Sequence, residues 1–211
     1  MKIIILSGGV KPSYKLLIKE INNCDLIICA DSGANCLYRY NIIPDYLIGD
    51  FDSIDEQILK FFTEKQVIIE RYPKEKDSTD TEIAFEKAIS LGASEIIFLG
   101  CTGGRIDHTL GNLGLLKKCL DLKIDAYLVD DQNIIFINDK PLVISGTAGE
   151  NFSIQAFGGT VKNLTIKNAK YELSNYDLYF GDPLTVSNEF IGKNVSIEFD
   201  NGILLILYCK D

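Results

Sequence analysis

Two rhythms of hydrophobic and polar positions run along the chain. Up to about residue 130, short apolar runs rich in β-branched residues alternate with helix-like stretches. The runs are KIIIL (2–6), DLIICA (25–30), YLIG (46–49), VIIE (67–70), EIIFLG (95–100) and AYLVD (126–130). They lack the in-out alternation of a half-solvated strand, as expected for parallel strands covered on both faces. Between them, IDEQILKFFTEKQ (54–66) predicts a helix with Ile54, Ile58, Leu59 and Phe62 on one face. RIDHTLGNLGLLKKCL (105–120) predicts another, with Leu110, Leu113, Leu116 and Leu120 inward. This β-α-β-α order is that of an open α/β sheet.

After residue 133 the helical period stops. NIIFIND, PLVIS, FSIQAF, TVKNLTI, VSIEF and ILLILYC follow, separated by Gly, Asn and Asp. Asn201-Gly202, between the last two runs, predicts a hairpin. The expected fold is therefore an N-terminal open, mostly parallel α/β sheet domain, residues 1–133. A small all-β sandwich domain, residues 134–211, follows it.

Ligand sites of open α/β sheets lie beyond the carboxyl ends of the strands. The segments following the runs are SGG (7–9), ADSGAN with Asp31, GDFDS with Asp50 and Asp52, a stretch with Asp77 and Asp80, and GCTGGRIDH with Arg105, Asp107 and His108. In an extended chain Asp50 and Asp52 would share a face at roughly 6–7 Å and repel. Local roles compete with functional ones. Asp31 can cap the next helix, Ser53 with Glu56 and Thr79 with Glu82 fit capping boxes, and His108 can be an ordinary surface residue. One helix start needs one cap, however, so the paired acids call for another explanation. Acids at several strand ends suit a Mg²⁺ site, because that ion takes oxygen ligands and bridges carboxylates to phosphates. Glycine-rich turns before helices present N–H groups to phosphate, and Arg105 adds a bidentate donor. No GxxxxGK[ST] loop is present.

Composition narrows the partners. The 211 residues carry a net charge of −9, which disfavours nucleic acid and anionic membrane surfaces. Six cysteines without CxxC spacing read as reduced thiols, and hence as a cytoplasmic protein. No apolar run approaches the length of about 20 residues needed for a membrane span.

The ordered set ADSGAN, GDFDS, KDSTDTE, GGRIDH and, late in the chain, TVSNEF resembles the thiamine pyrophosphokinase (thiamine diphosphokinase) family in its bacterial form, over essentially the whole chain. The resemblance implies an ATP-dependent diphosphotransferase that moves pyrophosphate from ATP to the hydroxyl of thiamine, giving thiamine diphosphate and AMP. It also implies Mg²⁺ and a homodimer with active sites at the subunit interface. By the same resemblance, Asp31, Asp50, Asp52 and Asp80 are metal ligands. Asp31, Gly33, Asp50, Lys76, Asp77, Thr102, Gly103, Gly104 and Arg105 meet ATP. Asp80, Asp107, His108, Ser187 and Asn188 meet thiamine, and Asp52, Asp77, Asp80 and Arg105 carry catalysis. Either Asp77 or Asp107 would accept the hydroxyl proton. The chain lacks the tryptophan that some members stack on thiamine, so an aromatic contact would come from Tyr or Phe, with Phe190, two residues past the SN pair, as a candidate. Two other readings are a pyrophosphokinase acting on another alcohol, such as a pterin, and a non-catalytic module binding nucleotide or thiamine diphosphate.

Overall fold

The structure, a computed structural model, describes residues 1–210. It divides into two compact units, Met1–Asp131 and Gln132–Asp211. The first unit runs β1 (Lys2–Leu6), α1 (Tyr14–Ile21), β2 (Leu26–Ala30), α2 (Gly33–Arg39), β3 (Tyr46–Gly49), α3 (Glu56–Glu64), β4 (Ile68–Arg71), α4 (Asp80–Ser90), β5 (Glu95–Leu99), α5 (Ile106–Asp121) and β6 (Asp125–Val129). Within it the strands lie in the order β6-β5-β1-β2-β3-β4, and each neighbouring pair is parallel.

The unbroken apolar runs are the central strands. Ile3, Ile4, Ile5 and Leu6 of β1 are fully buried, each contributing roughly 1.5–3 kcal/mol of hydrophobic stabilisation. β4 lies at the edge and leaves Ile68 51% exposed. Chain order reverses between β1 and β5: β2, β3 and β4 extend the sheet one way, β5 and β6 the other. That reversal is a topological switch point, where the loops leaving the two strands part and open a crevice.

Both predicted helices form, with shifted limits. α3 starts at Glu56 and buries Ile58 and Phe62, so Ile54 precedes the helix. α5 buries Asn112, Leu115, Leu116 and Cys119. Leu113 and Leu120 are half-buried, whereas Leu110 is 61% exposed, against the expected inward face. The helix rolls so that Asn112 meets the β5 loop, its Nδ2 donating to the Cys101 carbonyl at 2.8 Å, and this turns Leu110 outward.

The second unit is a sandwich of two antiparallel sheets, β12-β9-β14-β7 and β11-β10-β13-β8. Its strands are β7 (Asn133–Asn138), β8 (Leu142–Ile144), β9 (Asn151–Ala156), β10 (Val161–Lys167), β11 (Leu173–Leu178), β12 (Asn188–Glu189), β13 (Val195–Glu198) and β14 (Leu204–Cys209). Both inner faces supply the core; Phe152, Ile154 and Ile206 of one sheet meet Leu164, Ile166 and Ile197 of the other. Asn201-Gly202 does not close a hairpin, because β13 and β14 belong to different sheets. The turn is a corner held to β10, with Lys162 N–H donating to the Asn201 carbonyl at 3.0 Å. The polar β11 and the two-residue β12 escape the apolar pattern. Phe190 is fully buried against Phe152 and Tyr208, with ring centroids at 4.6 and 5.7 Å, so it packs the core and offers a ligand no face.

Candidate functional site

The loops leaving β1 and β5 are locked together at the switch point. Ser7 N–H donates to the Leu99 carbonyl (2.9 Å), Gly9 N–H to Gly100 (2.7 Å) and Val10 N–H to Thr102 (2.8 Å). Contact is so close that a Cβ on Gly9 would lie 2.4 Å from the Thr102 oxygen and 2.5 Å from that of Gly100. Gly100, at φ +64, has the Ser7 oxygen 2.2 Å from where its Cβ would stand. Above these loops opens a cleft of about 620 Å³, lined among others by Gly8, Asp31, Asp80, Thr102, Gly103 and Arg105. The N-terminal end of α5 borders it through Arg105 and His108, so helix-end N–H groups and dipole favour an anion there. Thr102 Oγ1 donates to Asp130 Oδ2 at 2.9 Å, and buried Ser7 and Thr81 hydroxyls pair at 2.9 Å. Ser7, Gly8 and Gly9 are the SGG segment that follows β1, whereas Thr81 and Asn112 also line the cleft and are residues the motifs do not single out.

Beside this floor, Asp31, Asp50 and Asp52 bring one carboxylate oxygen each within 4.8 Å of one another. Asp31, directly after β2, is left-handed at φ 43, and Phe51, between the other two acids, is left-handed at φ 65. Such backbones cost on the order of 1–3 kcal/mol apiece and persist only where surrounding structure imposes them. The Asp50–Asp52 stretch is therefore not extended. It folds into a turn in which Asp52 N–H donates to Asp50 Oδ1 at 3.0 Å. Asp31 Oδ1 is buried with no hydrogen-bond partner. Burial first, then the charges of Asp80, Asp50 and Asp52, raise its pKa against the opposing Ser32 N–H. An acid with an orphaned, buried oxygen, grouped with two further carboxylates, is a donor set for a hard divalent cation.

Lysines engage the other acids. Lys74 pairs with Asp52 and, with the Ser53 hydroxyl, holds its pKa below the usual carboxylate range. Lys76 Nζ donates to Asp80 Oδ1 at 2.8 Å and to the Pro73 carbonyl at 3.2 Å. Asp80 is the first residue of α4 and lines the cleft, but lies outside the three-acid group. Thr79 caps α4, accepting from Glu82 N–H at 3.2 Å, as expected. Ser53 caps nothing. Asp55 is the N-cap of α3, and the Ser53 hydroxyl donates to Asp52 Oδ1 at 2.8 Å instead. Nor does Asp31 cap α2, whose N-cap is Ser32.

The remaining expected residues separate. Thr102, Gly103, Gly104, Arg105 and His108 line the cleft. Gly33 does not; it is buried where a Cβ would meet the Leu6 carbonyl at 2.5 Å, so it serves helix–strand packing. Asp77 is exposed and apart from the cleft lining. Arg105 grips Asp107 at 2.6 and 3.2 Å, which raises the pKa of the guanidinium and lowers that of the carboxyl. A second cleft, about 400 Å³, shares Thr79, His108 and Asn112 with the first and reaches Asp107 and Gly111. In the second unit Ser187 is exposed at φ 57. Asn188 is buried: its Oδ1 accepts from Tyr171 and Glu189 N–H at 3.0 and 2.9 Å, and its Nδ2 donates to the Tyr171 carbonyl at 2.7 Å. The Asn188 amide thus braces Tyr171 rather than facing a ligand.

Comparison with known proteins places the chain among relatives. Residues 17–128 match the family model described as "Thiamin pyrophosphokinase, catalytic domain", and residues 135–204 match "Thiamin pyrophosphokinase, vitamin B1 binding domain". The chain is 34% identical over 209 residues to thiamine pyrophosphokinase of Bacillus subtilis, covering 98% of each. Among solved structures, that of the Bacillus subtilis thiamine pyrophosphokinase superposes with a TM-score of 0.88 at 32% identity, covering 100% of both chains. The Geobacillus thermodenitrificans thiamin pyrophosphokinase gives 0.85 at 30%, covering 100% of this chain and 98% of the other. With both halves matched and near-complete coverage of these relatives, the chain belongs to the thiamine pyrophosphokinase family.

Proposed function

We propose that the protein transfers the pyrophosphoryl group of ATP to the hydroxyl of thiamine, releasing AMP. The observation that carries this reading is the buried, partnerless Asp31 oxygen, set with Asp50 and Asp52 beside a glycine floor at the sheet's switch point. The oxygen donors fit Mg²⁺: Asp31, Asp50 and Asp52 would hold it, with Asp80 at the cleft wall. When bound, the ion neutralises phosphate charge and polarises the attacked phosphorus. The N–H groups of Gly103 and Gly104 and the α5 terminus orient the phosphates. Arg105 moves from Asp107 to the transferred group and meets the charge that develops there.

A bond forms between the thiamine oxygen and the β-phosphorus, the bond to the α-phosphate oxygen breaks, and AMP leaves with that electron pair. A loose transition state asks the protein mainly for alignment. That suits this chain. Asp77 stands away from the cleft, and Asp107 is held below its usual range by Arg105, so neither waits as a strong base. Asp107 takes the hydroxyl proton only after the guanidinium has turned to phosphate. The second cleft holds Glu82 and Asp107, paired with Lys118 and Arg105, and the vitamin B1 domain match favours thiamine over a pterin alcohol as acceptor.

In the same reading the enzyme works in the cytoplasm as a homodimer, and the sandwich of a second copy approaches thiamine through Ser187. Among the described residues no helix is long and apolar enough to cross a membrane. The test is incubation with ATP, Mg²⁺ and thiamine, separating products by chromatography. AMP and thiamine diphosphate should appear in equal amounts and stop with EDTA. Release of ADP, or equal turnover with a pterin alcohol, would overturn the assignment.

A further inference from the structure

Asp50 and Asp52 reach the Asp31 oxygen because the residue between them turns the chain in a left-handed sense. That residue is Phe51, φ 65, a conformation that is an outlier for a bulky side chain and free of penalty for glycine. A phenylalanine in a glycine's conformation must be held by its ring. The ring is 6% exposed, and the Arg71 guanidinium stands over it, 5.1 Å from the centroid. Arg71 ends β4 opposite Gly49 of β3, the residue that enters the turn. The clamp therefore ties the acid turn to the neighbouring strand. Downstream, Asn35 Nδ2 donates to the Ser53 carbonyl at 3.3 Å and holds the exit. Phe51 has no group that could ligate a cation or move a proton, so any part it plays is exerted through its two neighbours.

We infer that Phe51 is a positioning residue: its buried, Arg71-clamped ring holds the left-handed turn that aims Asp50 and Asp52 at a cation shared with Asp31. This role rests on the magnesium–nucleotide reading above. A ring that merely fills space would affect stability without affecting the cation.

Mn²⁺ titrated into nucleotide-free protein, with the free ion counted by EPR, reads cation affinity without turnover; thermal melting is recorded in parallel. Phe51→Ala should weaken Mn²⁺ binding by about tenfold, the usual effect of losing a group that orients ligands. Phe51→Gly should do the same although it relieves the backbone, since a slack turn no longer aims the acids. Phe51→Leu, which keeps an apolar anchor, should stay within about threefold, and Arg71→Met should fall between. Alanine and glycine variants that bind Mn²⁺ like the parent while melting earlier would overturn the role. Should Phe51→Ala fail to fold, parent-like binding by both Phe51→Gly and Arg71→Met overturns it equally. A parent that binds no Mn²⁺ defeats the role together with the metal site. If the parent binds and the Phe51 variants lose the ion, the role stands even where no thiamine diphosphate forms, and the activity assignment alone fails.

Discussion

Asp31 shows how a site residue works against the fold that holds it. Its carboxylate is half-buried among three other acids, and its pKa is raised, burial being the main cause. A carboxyl with a folded pKa above its unfolded value near 3.9 favours the native state fully at pH below that value, and the benefit is lost as pH rises through the folded pKa. At neutral pH the metal-free protein therefore carries a charge it would be more stable without. Asn tolerates the left-handed backbone at this position as readily as Asp. Asp31→Asn should raise the melting temperature of the metal-free protein at pH 7, about 2–4 °C for each kcal/mol relieved. The gain should shrink as pH falls through the raised pKa of Asp31 and be largely gone at about pH 4. The same substitution should abolish stabilisation by Mg²⁺ and turnover with it. Melting curves at pH 7 and pH 4, with and without Mg²⁺, check both signs; a variant that melts lower at pH 7 would show that Asp31 is a structural anchor.

The interlock of the β1 and β5 loops is the corresponding device among elements. A methyl group on Gly9 has no room, with two carbonyl oxygens within 2.5 Å, and accommodating it would part the backbone pairs that form the floor. Gly9→Ala should cost about 1–3 kcal/mol in stability, as overpacking does, and raise the KM for ATP well above its effect on thiamine. Gly111 in α5 has nothing within 4 Å of its Cβ position. Gly111→Ala should instead stabilise by about 0.4–1 kcal/mol, chiefly through the unfolded chain. Chemical denaturation of the pair separates crowding from helix propensity; similar changes in both would refute the interlock.

The same contrast explains what was readable in the residues. β1 announces itself because burial on both faces leaves no polar position in Ile3–Leu6. Thr79 is legible as a cap because its partner, Glu82, lies three residues on. Gly9 is not legible, since its constraint comes from Gly100 and Thr102, neighbours only once β1 and β5 pair. Ser53 misleads because the Asp50–Asp52 turn delays the helix to Glu56. Asn201-Gly202 signals a reversal without saying which sheet receives the next strand. Phe190 and Asn188 sit in a motif whose position suggested contact with ligand, yet one fills the sandwich core and the other braces Tyr171.

At the scale of the molecule, the net charge of −9 sets how the two proposed substrates arrive. The field of an acidic protein attracts cationic thiamine and repels a nucleotide that stays anionic even with magnesium bound. This field extends about 30 Å at ~0.01 M ionic strength and about 10 Å at ~0.1 M, so salt removes attraction for one substrate and repulsion for the other. Opposite salt responses follow from one charge distribution. Raising salt from about 0.01 M to about 0.1 M at fixed free Mg²⁺ should lower kcat/KM for thiamine several-fold and leave that for MgATP unchanged or higher. Steady-state kinetics with each substrate varied in turn measures both slopes. If both fall in parallel, the long-range field has no part in substrate capture. Any preference for the cation would then come from direct contacts within the clefts.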